Sequence, residues 1–358
     1  RSSTAWVFDP INTSRTDAVS PSPSRPAESS TGYWPDIHTS TPTGLSMTSY
    51  HDLGLTPIIN ASGAVTRLGG APMPAEVLEA FREAAGQWVP LEQLQAAAGQ
   101  RIAELTGTES GLVTAGSAAA LTLGTAAILC GNNLRRIEQL PHCDDFPCEI
   151  VIAREQRSGY DHAVRAAGAR LVEVGFNEIV SNAGVRRTEA WEYEAAFTEH
   201  TAGVFYGYGR DTQPPLEEVI ERAHRHNLPV LVDAAGELPP KHNLKDIAAL
   251  GADLVGFSGG KAIRGPQSTG ILCGRRDLVA SAAIQMLDMD DHLQLWDPPR
   301  SLIDPDALDG LPRHGIGRAL KVSKEEILAL LTALELFASG AYDSDWDRQH
   351  ARLESIAS

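Results

Sequence analysis

The sequence predicts an α/β fold: a seven-stranded, mostly parallel sheet with one antiparallel strand and helices on both faces. Three observations predict it. From Gly111 onward, short apolar runs alternate with stretches of helical periodicity. Most neighbouring runs are separated by enough chain for a crossover helix, as Pro215 to His226 is before Val230 to Asp233, so parallel pairing is expected. Only a glycine-rich loop separates Asp253 to Ser258 from Gly270 to Gly274. That is too short for a crossover, so the last strand should run antiparallel to its predecessor.

The chain has 358 residues and 42% hydrophobic content, enough for substantial cores. A net charge of -16 repels phosphate backbones, so nucleic acid is an unlikely partner. The four cysteines are too few and too scattered for a disulfide framework, which fits a cytoplasmic protein. Cys143 and Cys148, with His142 beside them, match no standard zinc spacing, so no metal is expected. No apolar run is long enough for a membrane span, and no signal-peptide core is present near Arg1.

Taken in order, residues 1–46 are rich in Ser, Thr and Pro without apolar periodicity, and are expected to be disordered. Patterned sequence begins at Met47, which reads as the native start. Residues 47–110 form an N-terminal arm and helices. The Gly- and Pro-rich stretch Pro57 to Pro74 should be an extended arm that approaches a site closely. Helical stripes follow at Ala75 to Ala85 and Leu91 to Leu105. Residues 111–322 form the ligand-binding domain, with strands at Gly111 to Ala115, Glu149 to Ala153, Leu171 to Gly175, Gly203 to Gly207, Val230 to Asp233, Asp253 to Ser258 and Gly270 to Gly274. A helix is expected over Asp277 to Leu287, then a solvated acidic loop, Asp288 to His292. In residues 323–358, Ser323 and Glu326 make a capping box ahead of the stripe Ile327, Leu330, Leu331, Leu334 and Phe337.

The chemistry centres on DLVGFSGGKAIRGPQSTGILCG. Lys261 is its single lysine, on a tight loop at the carboxyl end of a strand, where open α/β sheets bind ligands. An amine so placed suits a Schiff base with pyridoxal 5'-phosphate. Gly116, Ser117 and Ala118 join the first strand to a helix, and free N–H groups at such a junction cradle phosphate. Asp233 ends its strand one crossover before Lys261, where a carboxylate would hold the pyridine nitrogen protonated. The Ser258 hydroxyl would reach the same phosphate. One of Arg157, Tyr160 and His162, after the second strand, would stack on or contact the ring.

In order along the chain, INASGAVTRLGG, LEQLQAAAGQR, TAGSAAA, VDAAGELPP, SGGKAIRGPQSTGIL and GRALKVSKEEI resemble the pyridoxal-phosphate enzymes of aminotransferase fold type I. Within them, the chain is similar to the branch of selenocysteine synthase (L-seryl-tRNA selenium transferase) and D-glucosaminate-6-phosphate ammonia-lyase, from Pro57 to about Phe337. The resemblance implies that Lys261 is the Schiff-base residue, Asp233 its pyridinium partner, and Gly116 to Ala118 with Ser258 the phosphate site. It implies Arg318 and Lys321, with Arg67 or Arg264, as grips for a small anionic amino substrate. It also implies a homodimer or larger even homo-oligomer, with Gly265 to Gln267 facing a neighbour. The synthases carry Asn residues where this chain has Ala115 to Ser117, and an Asp at Gly260. Their N-terminal tRNA-binding domain has no counterpart, and the C-terminal small domain is largely missing. The expected activity is therefore that of a lyase releasing ammonia and a 2-keto acid by α,β-elimination. A seryl-tRNA transferase and a cofactor-binding protein without catalysis are the alternatives.

Overall fold

The computed structural model describes residues 48–176, 187–289 and 295–357. The expected disordered segment 1–46, the start at Met47 and the Asp290 to His292 part of the acidic loop lie outside the described residues. The described residues fall into two units, one within 48–59 and one within 60–357. In the first, the Asp52 carboxylate accepts from Ser49 N and Oγ, both at 2.8 Å, and pins a short turn.

The second unit holds the sheet. Its strands are β1 (Ser110–Thr114), β2 (Glu149–Ala153), β3 (Arg170–Val174), β4 (Thr201–Gly207), β5 (Val230–Asp233), β6 (Leu254–Ser258) and β7 (Gly270–Gly274). They lie in the order β1-β7-β6-β5-β4-β2-β3. Every pairing is parallel except those of β7, which runs antiparallel to both β6 and β1. The expected strands and the antiparallel last strand are all found, with bounds shifted by at most two residues.

Alternation along the strands builds two cores. Leu112, Ile150, Ile152, Phe205, Leu231, Leu254 and Leu272 face one side. They pack against α3 (Gly116–Cys130), α4 (Leu134–Gln139), α5 (Asp161–Ala166) and α9 (Arg276–Ile284). Val113, Val151, Val204, Val230, Val232, Val255 and Ile271 face the other. That side is covered by α1 (Ala75–Ala85), α2 (Leu91–Thr106), α6 (Ala190–Ala195), α7 (Leu216–Arg225), α8 (Asn243–Ala249) and α10 (Lys324–Ser339). Helix α3 is apolar on every side, as a helix buried between sheet and neighbours must be. The final helix, α11, spans Asp343–Ala357.

Local signals fix several ends. Ser323 and Glu326 form the expected capping box, and α10 stops at Gly340, whose left-handed backbone suits glycine. The exposed edge of β1 is closed by a side chain: Gln95 Nε2 donates to Val113 O at 2.9 Å, and its Oε1 accepts from Val113 N at 3.1 Å. One amide thus replaces a neighbouring strand where the sheet would otherwise present unpaired groups. No single described helix is long and apolar enough to cross a membrane.

Candidate active site

The β1–α3 junction is built from small residues for two physical reasons. Gly116, the first residue of α3, has φ +85, a conformation that side chains disfavour. Gly270, at the start of β7, lies so close that a Cβ there would sit 2.4 Å from Gly116 C and 2.5 Å from Ser117 N. The first turn of α3 carries no acidic residue and no side-chain cap, so its N–H groups stay open to an anion. A cavity of about 380 Å³ opens there, lined by Ala115, Ala118, Ala119, Gly159, Tyr160 and His162 among others.

The sheet register carries this cradle to the lysine. Thr114 of β1 pairs with Gly270, and Gly270 pairs on its other side with Ser258 of β6. Two strand spacings, roughly 10 Å, therefore separate Thr114 from Ser258. Asp233 pairs with Gly256, two residues before Ser258 on the same strand. Gly116, Ser258, Lys261 and Asp233 thus share one edge of the sheet, where the parallel strands end.

The lysine loop is held by its own backbone. Gly265 N donates to Gly259 O, Gly259 N to Thr269 O, and Arg264 N to Lys261 O, at 2.9–3.0 Å. A Cβ on Gly260 would lie 2.4 Å from Gln267 Cα, so this loop has no room for a side chain at position 260. The arm packs on the loop from outside. Ala71 N donates to Gly260 O at 3.1 Å and Gln267 Nε2 to Thr66 O at 2.8 Å. A short 3-10 turn, Thr66–Leu68, interrupts the arm and carries Arg67, which is exposed beside the loop.

Lys261 is partly buried, and its side-chain amine has no hydrogen-bond or ion-pair partner among the described residues. Asp233 accepts from Ala235 N at 3.0 Å. Burial pushes the Asp233 carboxyl above the ordinary carboxylate range, while the Ala235 N–H and the Lys261 charge pull it back by less. Glu237, which sequence reasoning missed although VDAAGELPP contains it, feels the same surroundings. Its carboxyl is raised by burial and by Asp233 and lowered by Lys261.

The other expected residues separate into two groups. Tyr160, 59% exposed, and His162 line the cradle cavity. Arg157 is tied to Asp161 and Glu173, which removes it from the ring-contacting candidates. Arg264, expected among the substrate grips, is committed elsewhere. Its Nε donates to Pro72 O at 3.2 Å, its Nη1 pairs with Asp345 at 3.0 Å, and its guanidinium lies 4.9 Å over the Tyr342 ring. Arg318 pairs with Asp288 at 2.5 Å and, with Lys321, lines a different cavity of about 610 Å³ that also takes in Glu92 and Trp296. Leu320 between them faces the cradle cavity, so the Ile316–Leu320 turn separates the two. Among the described residues, no cluster of three or more His, Cys, Asp or Glu groups could hold a metal ion.

The Aminotransferase class-V family model matches residues 178–288, which include Asp233 and Lys261. A 5'-C-glycyluridine monooxygenase-decarboxylase from Streptomyces is 33% identical over 332 residues, covering 89% of this chain and 73% of that protein. The chain belongs to the pyridoxal-phosphate enzymes of fold type I, in the branch of selenocysteine synthase and D-glucosaminate-6-phosphate ammonia-lyase. The Salmonella typhimurium ammonia-lyase of that name is 28% identical, covering 81% of this chain and 70% of that protein. A solved D-glucosaminate-6-phosphate ammonia-lyase structure superposes with a TM-score of 0.68 at 27% identity, over 83% of this chain and 72% of that one. L-seryl-tRNA(Sec) selenium transferases also match, that of Geotalea daltonii at 26% identity.

The family's cofactor fits the residues present. The turn at Gly116 and the close approach of Gly270 leave open N–H groups for a phosphate. At the far end of the row, a partly buried carboxylate and an amine without an ion-pair partner are the kinds of group that a pyridine nitrogen and an aldehyde would require.

Proposed function

We propose that this enzyme acts at the amino-bearing carbon of a small anionic hydroxy amino acid or amino sugar acid, by α,β-elimination that releases ammonia and a 2-keto acid. The observation that carries the reading is the shared sheet edge, where Lys261 lies without a salt-bridge partner near the partly buried Asp233 and across from the Gly116 cradle. The backbone N–H groups of Gly116, Ser117 and Ala118, with the Ser258 hydroxyl, would hold the cofactor's phosphate, Asp233 its ring nitrogen, and Tyr160 or His162 its face. Bound pyridoxal phosphate supplies an electron sink for negative charge at the substrate α-carbon. Lys261 Nζ removes the α-proton. Arg67, beside the lysine loop, would grip the substrate's carboxylate, and Arg318 and Lys321, in the cavity across the Ile316–Leu320 turn, would hold a remote anionic group such as a phosphate.

A second reading has its own support. The Streptomyces relative is named a decarboxylase, and loss of a carboxylate would need the same electron sink with a different bond aligned to it. A seryl-tRNA substrate is disfavoured by the net charge of -16. One experiment separates these outcomes. The purified protein is incubated with pyridoxal phosphate and screened against hydroxy amino acids, amino sugar acids and seryl-tRNA, reading ammonia, keto acid and carbon dioxide. Ammonia with keto acid is expected. Carbon dioxide alone, or turnover of seryl-tRNA alone, would reverse the choice.

An assembly of two or a larger even number of chains goes with this reading, and so does a cytoplasmic setting, supported by four free cysteines. Light scattering of the cofactor-loaded protein and cell fractionation test the two points.

A further inference from the structure

The turn after β5 carries a second carboxyl into the neighbourhood of Lys261 and Asp233. Glu237 N donates to Ala234 O at 3.1 Å, so the chain folds back immediately beyond the strand. Asn243 Nδ2, at the start of α8, donates to Glu237 O at 2.8 Å and fixes the far side of that turn. Tyr208 N donates to Asp233 O at 3.0 Å, which brings the end of β4 against the same place. Glu237 is partly buried, and its carboxylate makes no hydrogen bond or ion pair among the described residues. The charged and titratable groups facing it are Asp233, Lys261 and Tyr208. Its raised carboxyl keeps a larger protonated fraction near neutrality than an exposed glutamate has.

Elimination of water involves two proton transfers, one from the α-carbon and one to the departing oxygen. Lys261 accepts the proton from the α-carbon, and a second acid beside it would let the oxygen departing from the β-carbon receive its proton from a separate group. We propose that Glu237 is that donor, working opposite Lys261 in the elimination on which this inference rests. The Cβ–O bond breaks with its electron pair on oxygen, and the Glu237 carboxyl gives that oxygen its proton. Water leaves. The Glu237 carboxylate then takes a proton from solvent, and Lys261 releases the former α-proton to solvent.

The test has one arm without cofactor and one with it. In cofactor-free protein, the Glu237 carboxyl carbon is assigned by NMR from the signal missing in Glu237→Gln. Its titration midpoint should lie above that of an exposed glutamate. It should fall in Asp233→Asn, which removes a negative neighbour, and rise in Lys261→Ala, which removes a positive one. A midpoint that moves in neither variant overturns the proposal. In the loaded enzyme, Glu237→Gln should keep α-proton exchange with deuterated solvent within about threefold of wild type while ammonia release falls about 100-fold. Glu237→Asp, a second variant with the same chemistry, should recover part of that loss. Wild-type ammonia release in Glu237→Gln overturns the role of Glu237 and leaves the elimination reading standing. Exchange without ammonia in the wild type, across every substrate screened, overturns the elimination and the Glu237 step with it.

Discussion

Two regions of this enzyme hold charge in opposite ways. At the carboxyl edge of β5 and β6, the Lys261 amine and the Glu237 carboxylate have no hydrogen-bond or ion-pair partner among the described residues, and the Asp233 carboxylate has only the backbone N–H of Ala235. At the Ile316–Leu320 turn, Arg318 is already paired with Asp288, and at the lysine loop's outer side Arg264 is shared between Pro72, Asp345 and Tyr342. Partly buried groups left without partners cost stability, and they persist where chemistry uses them. Paired arginines carry no such sign. On the proposed reading, Lys261 is the reactive end of the site and the paired arginines are adjustable or structural.

The largest expected effect tests the reactive end. Lys261→Ala should lose the visible absorption of the loaded enzyme after dialysis, and product release should fall by about 10³-fold or more. A retained band would move the reactive amine elsewhere. Asp233→Asn should cost about 10²-fold in turnover yet stabilise the cofactor-free protein, with the sign set by pH. The folded state raises the Asp233 carboxyl, so its favourable contribution is present at low pH and is lost as pH rises through the folded value. Asn carries no ionised form. Melting of the cofactor-free variant should therefore exceed wild type near neutral pH, and the gap should close toward about pH 4. A gap that widens on acidification would contradict the burial of that carboxyl.

Gly270→Ala tests the cradle. Its Cβ would collide with Gly116 and Ser117, and overpacking of this kind costs about 1–3 kcal/mol. Cofactor affinity, followed by titration, should drop with it; unchanged affinity would remove the phosphate from this turn. Arg318→Gln should raise KM by about tenfold with kcat nearly unchanged, the signature of uniform substrate binding. The smallest effect belongs to Arg264→Ala, about 1 kcal/mol of thermal stability from the lost cation–π and ion-pair contacts. A large loss of kcat there would bring Arg264 back into the site.

The sequence by itself determined the strands, the antiparallel β7, the capping box at Ser323 and the motif residues Lys261 and Asp233. Each depends on local periodicity, loop length or a residue type at a strand end, and those are properties of short stretches. Tertiary structure alone decided which cations are free. Arg264 meets Asp345, and Arg318 meets Asp288, through partners 81 and 30 residues away that no pattern announces. It also decided the closeness of Gly270 to Gly116, which comes from strand order and not from spacing along the chain. Glu237 lay within a motif already singled out, but its value depends on burial beside Asp233 and Lys261. Burial is a property of the packed sheet edge, so it became legible only when β5 and β6 were set side by side.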